Sequence, residues 1–166
     1  SALLAWILQV AGRDPSFVIG GILKNFDSNY RLGRGTEVVI EGDEYDTAFF
    51  DKGPKFMHYA PAVTVLTSVE FDHADIYRDF DHVRSAFRRM AAGLPRDSLL
   101  LAWDGEPVID EVIAGTPAAV RRYGTRSGAD WCLFRCETNP PWTSFEVLKE
   151  GRVFGRSGKI PPPTLL

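Results

Sequence analysis

The stretch "AVTVLTSV", residues 62–69, runs directly into "EFDHADIY", residues 70–77. The first eight residues are apolar or β-branched and read as a strand. Past the acidic run, Phe80, Val83, Phe87 and Met90 recur at helical spacing, with Asp79 placed to cap that helix. "SLLLAW" (98–103) reads as another strand, and after "DGEP" (104–107) a second helix carries Val108, Ile109, Val112 and Ile113. Gly115 ends it, and "AAVRRYG" (118–124) returns to strand character. Strands that alternate with helices imply a parallel sheet with helices packed on its faces. The fold class is therefore α/β, with a mostly parallel sheet flanked by helices.

The flanks extend this pattern. "ALLAWILQVA" (2–11) has the spacing of a helix buried on most sides, with Ser1 as its N-cap and Gly12 as its stop. "FVIGGI" (17–22) reads as a short strand, and "LKNFDSNYRLGRG" (23–35) as an irregular connection rich in Gly, Asn and Asp. "EVVI" (37–40) is a strand, and Gly53-Pro54 marks a turn. After Gly128 the pattern changes. "ADWCLFRCE" and "SFEVLKEGRVFG" predict a small antiparallel extension, with Glu150-Gly151 as a tight turn. Residues 1–155 form the predicted domain, and 156–166, with three consecutive prolines, an extended or disordered tail.

Composition narrows the function classes. A chain of 166 residues with 45% hydrophobic and 25% charged residues suits a soluble globular domain. A net charge of −3 and the lack of a basic tract argue against nucleic-acid binding. The longest apolar stretch is too short to span a bilayer. Two cysteines suggest a reducing compartment, the cytoplasm. Cys132 and Cys136 are four residues apart on one predicted strand, roughly 13 Å. That excludes a disulfide between them, and buried thiols are expected.

Two acidic clusters carry the chemistry. "EGDEYD" (41–46) and "EFDHAD" (70–75) each follow a predicted strand. In an open parallel sheet, ligands bind beyond the carboxyl ends of the strands. If the two strands run the same way, Glu41 and His73 share an edge. Carboxylates that face one another repel unless a positive charge lies between them. A divalent cation answers this: carboxylate oxygens suit Mg2+, and an imidazole suits Mn2+ or zinc better. Solvated acidic loops are the plain alternative.

"EGDEYDTAFFDKGPKFMHY" (41–59) and "VLTSVEFDHADIY" (65–77) resemble the central domain of the Mur ligases, a P-loop-NTPase-like fold. "NYRLGRG" (29–35) resembles that family's loop before the acidic strand, and "LLAW" (3–6) its first helix. The likeness covers residues 1 to about 150. The run "YDTAFFDKGPKFMHY" is more similar to members that return a recovered murein tripeptide to UDP-N-acetylmuramate than to those that add the first alanine. The resemblance implies an ATP-dependent ligase of cell-wall recycling that works through an acyl phosphate with Mg2+ or Mn2+. It implies Glu41 and His73 as catalytic metal ligands. Asp43, Glu44, Asp46 and Asp72 then orient those ligands, and Asn29 and Arg31 meet the nucleotide sugar. Ser68 stands where the family commonly has Asn.

The phosphate loop of such an enzyme, G-x-x-x-x-G-K-[ST], does not occur in these 166 residues. Gly158-Lys159 is followed by Ile160 and Pro161–Pro163, which forbid the helix that must come next. The expectation is a central-domain fragment, inactive alone, whose exposed sheet edges favour self-association. The alternatives are a metal-dependent phosphohydrolase and a non-catalytic binding module.

Overall fold

A computed structural model describes residues 1–42, 46–48, 51–71 and 76–158, with only the backbone over 46–48 and 51–52. The described residues divide into two compact units, one within residues 1–42 and one within residues 46–158.

In the first unit, helix α1 (Ala2–Val10) precedes β1 (Ser16–Leu23), β2 (Ser28–Arg31) and β3 (Val38–Ile40). The sheet order is β2-β1-β3, with β2 antiparallel and β3 parallel to β1. The segment expected to be irregular over 23–35 thus contains a strand. Its Gly, Asn and Asp residues serve the turn at 24–27, where Asp27 takes a left-handed conformation, and β2 pairs back onto β1. α1 ends in a Schellman arrangement: Gly12, at positive φ, donates to the Gln9 carbonyl, and Arg13 donates to that of Leu8. Ser1 makes no capping hydrogen bond through its side chain.

Alternation along β1 sends Phe17 and Ile19 to one face, where they pack with Ala5, Leu23 and Val39. Phe26 closes this core, tilted against Phe17 at 4.8 Å and edge-on to Trp6 at 5.8 Å. The helix is not buried on most sides as its composition predicts. Only Ala5 is buried, while Leu3, Leu4, Ile7 and Val10 are exposed. One small sheet covers one stripe of the helix.

The second unit begins with a hairpin of β4 (Asp46–Ala48) and β5 (Asp51–Pro54), then a 3-10 turn over Lys55–His58. Gly53-Pro54 therefore ends a strand and is not a turn. The six-stranded sheet follows. It contains β6 (Val63–Leu66), β7 (Leu99–Trp103), β8 (Ala119–Gly124), β9 (Trp131–Asn139), β10 (Trp142–Lys149) and β11 (Arg152–Arg156). Its order is β11-β10-β9-β8-β7-β6. β6 to β9 are parallel neighbours, and β9 to β11 are antiparallel. This is the expected mostly parallel sheet with its antiparallel extension. β6 is shorter than the apolar run 62–69. Glu150 and Gly151, both at positive φ, form the tight β10–β11 turn.

Helices α2 (Phe80–Gly93) and α3 (Pro107–Ile113) cover one face of this sheet. The Asp79 side chain caps α2 by accepting the His82 N–H at 2.8 Å. Leu66, Leu100 and Ala102 point into that face and pack with Val83, Phe87, Ile109 and Val112. β9 carries both cysteines without a disulfide, as the spacing requires, but only Cys132 is buried. Arg135, at positive φ, lies where the β9–β10 register shifts, and Cys136 beyond it is exposed. No helix is long and apolar enough to cross a membrane among the described residues.

Candidate functional site

The parallel pairing of β3 with β1 extends one residue past the strand. The Glu41 N–H donates to the Val18 carbonyl at 3.1 Å. Its side chain then turns back across β1, where Oε2 accepts the Gly20 N–H at 3.2 Å. Oε1 has no hydrogen-bond partner among the described residues, and the residue is exposed. A carboxylate oriented by one backbone donor, with an oxygen open to solvent, is a competent hard ligand for a divalent cation.

The loop before β3 is tightly built. Asp14 forms an ion pair with Arg31, and its Oδ2 accepts the Arg34 N–H at 2.9 Å. Gly35 donates to the Asp14 carbonyl at 2.9 Å, and Gly33 to Ser16 Oγ at 3.0 Å. A Cβ on Gly33 would fall on the Asp14 and Pro15 carbonyls, and one on Gly35 on the Arg13 carbonyl. Those are backbone atoms, so glycine at 33 and 35 is a requirement of the loop. Arg13 pairs with Glu37, which pushes the Glu37 carboxyl below its ordinary range. Arg31 is also hydrogen-bonded to Gln9 and lies 5.6 Å over the Phe26 ring. Its neighbour Asn29 is exposed on β2.

In the second unit the chain leaves β6 along a fixed path. Leu66 and Val69 are buried before the acidic run, and Tyr77 is buried after it, all in one cluster. Asp43, Glu44, Asp72 and His73 lie outside the described residues, and of Asp46 only the backbone, the first position of β4, is described. Glu41 belongs to the first unit, and Glu70 and Phe71, which open the second acidic run, to the other. Among the described residues no group of three or more His, Cys, Asp or Glu is placed to hold a metal.

Motif reading passes over the side chains at the carboxyl ends of β6 to β8. Tyr123 Oη donates to the Leu66 carbonyl at 3.3 Å, and its ring lies 5.6 Å from that of Trp103. The Asp104 N–H donates to the Tyr123 carbonyl, and Asp104 Oδ2 accepts the Arg126 N–H at 3.2 Å. Asp104 fills the space a Cβ on Gly124 would take. The only sequence signal was a strand followed by "DGEP". Burial pushes the Tyr123 phenol above its ordinary range. A tyrosine whose folded pKa is raised stays protonated where the unfolded chain ionises, so stability falls as pH rises past about 10. Tyr123→Phe is expected to remove a component that titrates above the ordinary phenol range from the phenolate absorbance titration and to lessen that alkaline loss. Loss of a component that titrates at the ordinary phenol value instead would show that burial does not hold the Tyr123 hydroxyl protonated.

Residues 31–157 match the Mur ligase middle domain, and the chain belongs to the Mur ligase family. It is 40% identical over 114 residues to a Haemophilus influenzae UDP-N-acetylmuramate–L-alanyl-γ-D-glutamyl-meso-2,6-diaminoheptandioate ligase, covering 69% of this chain and 25% of that protein. The Escherichia coli ligase of the same name is 44% identical over 95 residues, covering 57% of this chain and 21% of that protein. The crystal structure of the Neisseria meningitidis ligase of this type superposes with a TM-score of 0.81 at 37% identity, over 93% of this chain and 49% of that one. The chain thus spans about a quarter of the length of the curated relatives it matches.

Proposed function

We infer that this chain is the middle domain of an ATP-dependent ligase that joins L-alanyl-γ-D-glutamyl-meso-diaminopimelate to UDP-N-acetylmuramate. The observation that carries the reading is the identity of 40% and 44% to two ligases named for that peptide. In this reaction the muramate carboxylate takes the γ-phosphoryl group of ATP, giving an acyl phosphate and ADP. The peptide amine then attacks the acyl carbon, the amide forms, and phosphate leaves.

Glu41 offers an anionic oxygen and His73 a neutral nitrogen to Mg2+ or Mn2+, which when bound neutralises charge on the phosphoryl oxygens. The open Oε1 of Glu41 supports its part in this. Asp43, Glu44, Asp46 and Asp72 orient the ligands by hydrogen bonding. Asn29 and Arg31 face the nucleotide sugar. Arg31 is already held by Asp14 and Gln9, so Asn29 has the freer side chain. ATP and a nucleotide sugar as substrates place the reaction in the cytoplasm.

ADP release tests the reading. In an intact ligase carrying this segment, release depends on both UDP-N-acetylmuramate and the tripeptide. The isolated 166-residue chain, which encodes no phosphate loop, gives none above background. Release that ignores the tripeptide, or turnover by the isolated chain, would overturn it. Cleavage of a generic phosphate ester by the isolated chain with Mn2+ would put a hydrolase in its place.

A further inference from the structure

The parallel ladder between β1 and β3 changes character at its last rung. The Ser16 N–H donates to the Glu37 carbonyl at 2.9 Å, and the Glu41 N–H to the Val18 carbonyl at 3.1 Å. Bonding residues alternate along such a ladder, so 16, 18 and 20 on one side exchange bonds with 37, 39 and 41 on the other. The next rung would take the Gly20 N–H to the main-chain carbonyl of Glu41. It goes to the side chain instead, where Oε2 accepts it at 3.2 Å. Glu41 is therefore held twice by β1, at its own N–H by Val18 and at Oε2 by Gly20.

This grip decides which oxygen is available. A carboxylate that holds one cation with both oxygens must set them at similar distances from it, and here that would bend or break the Gly20 bond. A hydrogen bond to an anion resists this more than one between neutral groups. The fold itself does not demand glycine at 20. Its φ is not positive, and a Cβ there would meet nothing within 4 Å, unlike at Gly33 and Gly35, where backbone atoms fill that space. What position 20 contributes is its N–H.

We propose, on the reading of Glu41 as a metal ligand, that the Gly20 N–H is a positioning group that makes Glu41 a one-oxygen ligand and so sets the site to prefer Mg2+ over Ca2+. Mg2+ demands a small, near-octahedral shell, and a single carboxylate oxygen fits one of its corners. Ca2+ takes more oxygens in a looser shell and readily uses both oxygens of one carboxylate. With Oε2 drawn to β1, the second oxygen that Ca2+ would use is withheld, and Mg2+ loses nothing by it.

Displacement of Mn2+ from an intact, nucleotide-free ligase that carries this segment tests this. Electron paramagnetic resonance counts the free Mn2+ as Mg2+ or Ca2+ is added, and the ratio of the two displacing concentrations is the readout. Lactic acid built in at position 20 replaces the N–H by an ester oxygen, and Gly20→Ala is its matched partner with the N–H kept. Gly20→Ala should keep the parent's ratio. The ester should shift it about tenfold toward Ca2+, the order of one hydrogen bond to a charged group. Each protein is compared with itself, so a general loss of stability does not move the ratio. If Glu41→Gln weakens Mn2+ binding but the ester leaves the ratio unchanged, Glu41 is a ligand whose choice of cation Gly20 does not set, and the proposal alone is overturned. If Glu41→Gln binds Mn2+ like the parent, Glu41 is no ligand, and the proposal falls together with that reading. A Gly20→Ala ratio moved as far as the ester's would assign the effect to the added methyl group and overturn the role of the N–H.

Discussion

His73→Ala, in an intact ligase that carries this segment, is expected to lower turnover by about a hundredfold and to leave the urea midpoint unchanged. The proposed role is to hold, through the metal, charge that develops on phosphoryl oxygens. Removing a group of that kind costs about a hundredfold or more in rate. Stability rests on other residues. Leu66, Val69 and Tyr77, which anchor the chain on either side of the acidic run, lie in the buried cluster and are not altered. Steady-state ADP release at saturating substrates, paired with urea unfolding, separates the two effects. Turnover within assay error of the parent would remove His73 from the proposed site. A lost midpoint would make it a residue of the fold.

Leu100→Ala is expected to destabilise the second unit by about 2–5 kcal/mol, the range for truncating a buried leucine. Leu100 lies on β7 between β6 and β8 and is fully buried beneath α2 and α3. The cavity would be lined by side chains held on three strands and two helices, and such a site collapses poorly. Leu101→Ala, one residue on, is expected to cost much less. Period-2 alternation sends Leu101 to the opposite face, with the half-exposed Val63 and Val65 of β6. Urea midpoints of the two variants give the comparison. Equal losses would mean that both faces of β7 are packed alike.

The α/β class was legible because periodicity is a local property. The strand 99–103, the helix 80–93 with its Asp79 cap, and the Glu150-Gly151 turn each follow from a few neighbouring residues. The long runs 41–59 and 65–77 also disclosed the family. β2 was hidden because its four residues gain strand character only by pairing with β1, a non-local partner. Gly53-Pro54 misled for the same reason: the dipeptide favours a turn, but pairing with Asp46 makes Pro54 the end of a strand.

Burial was the harder quantity. α1 is apolar on nearly all sides, and no pattern within it tells which stripe is covered. That depends on how many elements the fold brings to it. Cys136 reads like Cys132 until the shifted register at Arg135 separates them. The candidate site divides along the same line. The sequence by itself determined the residue types, two acidic runs with one histidine, because donor chemistry belongs to side chains. Only the tertiary structure decided that the Glu41 carboxylate folds back onto the Gly20 N–H, that Asp14 locks the glycine loop, and that Tyr123 reaches the Leu66 carbonyl. Each of those contacts joins residues far apart in the chain, and their separation in space is set by strand order and register.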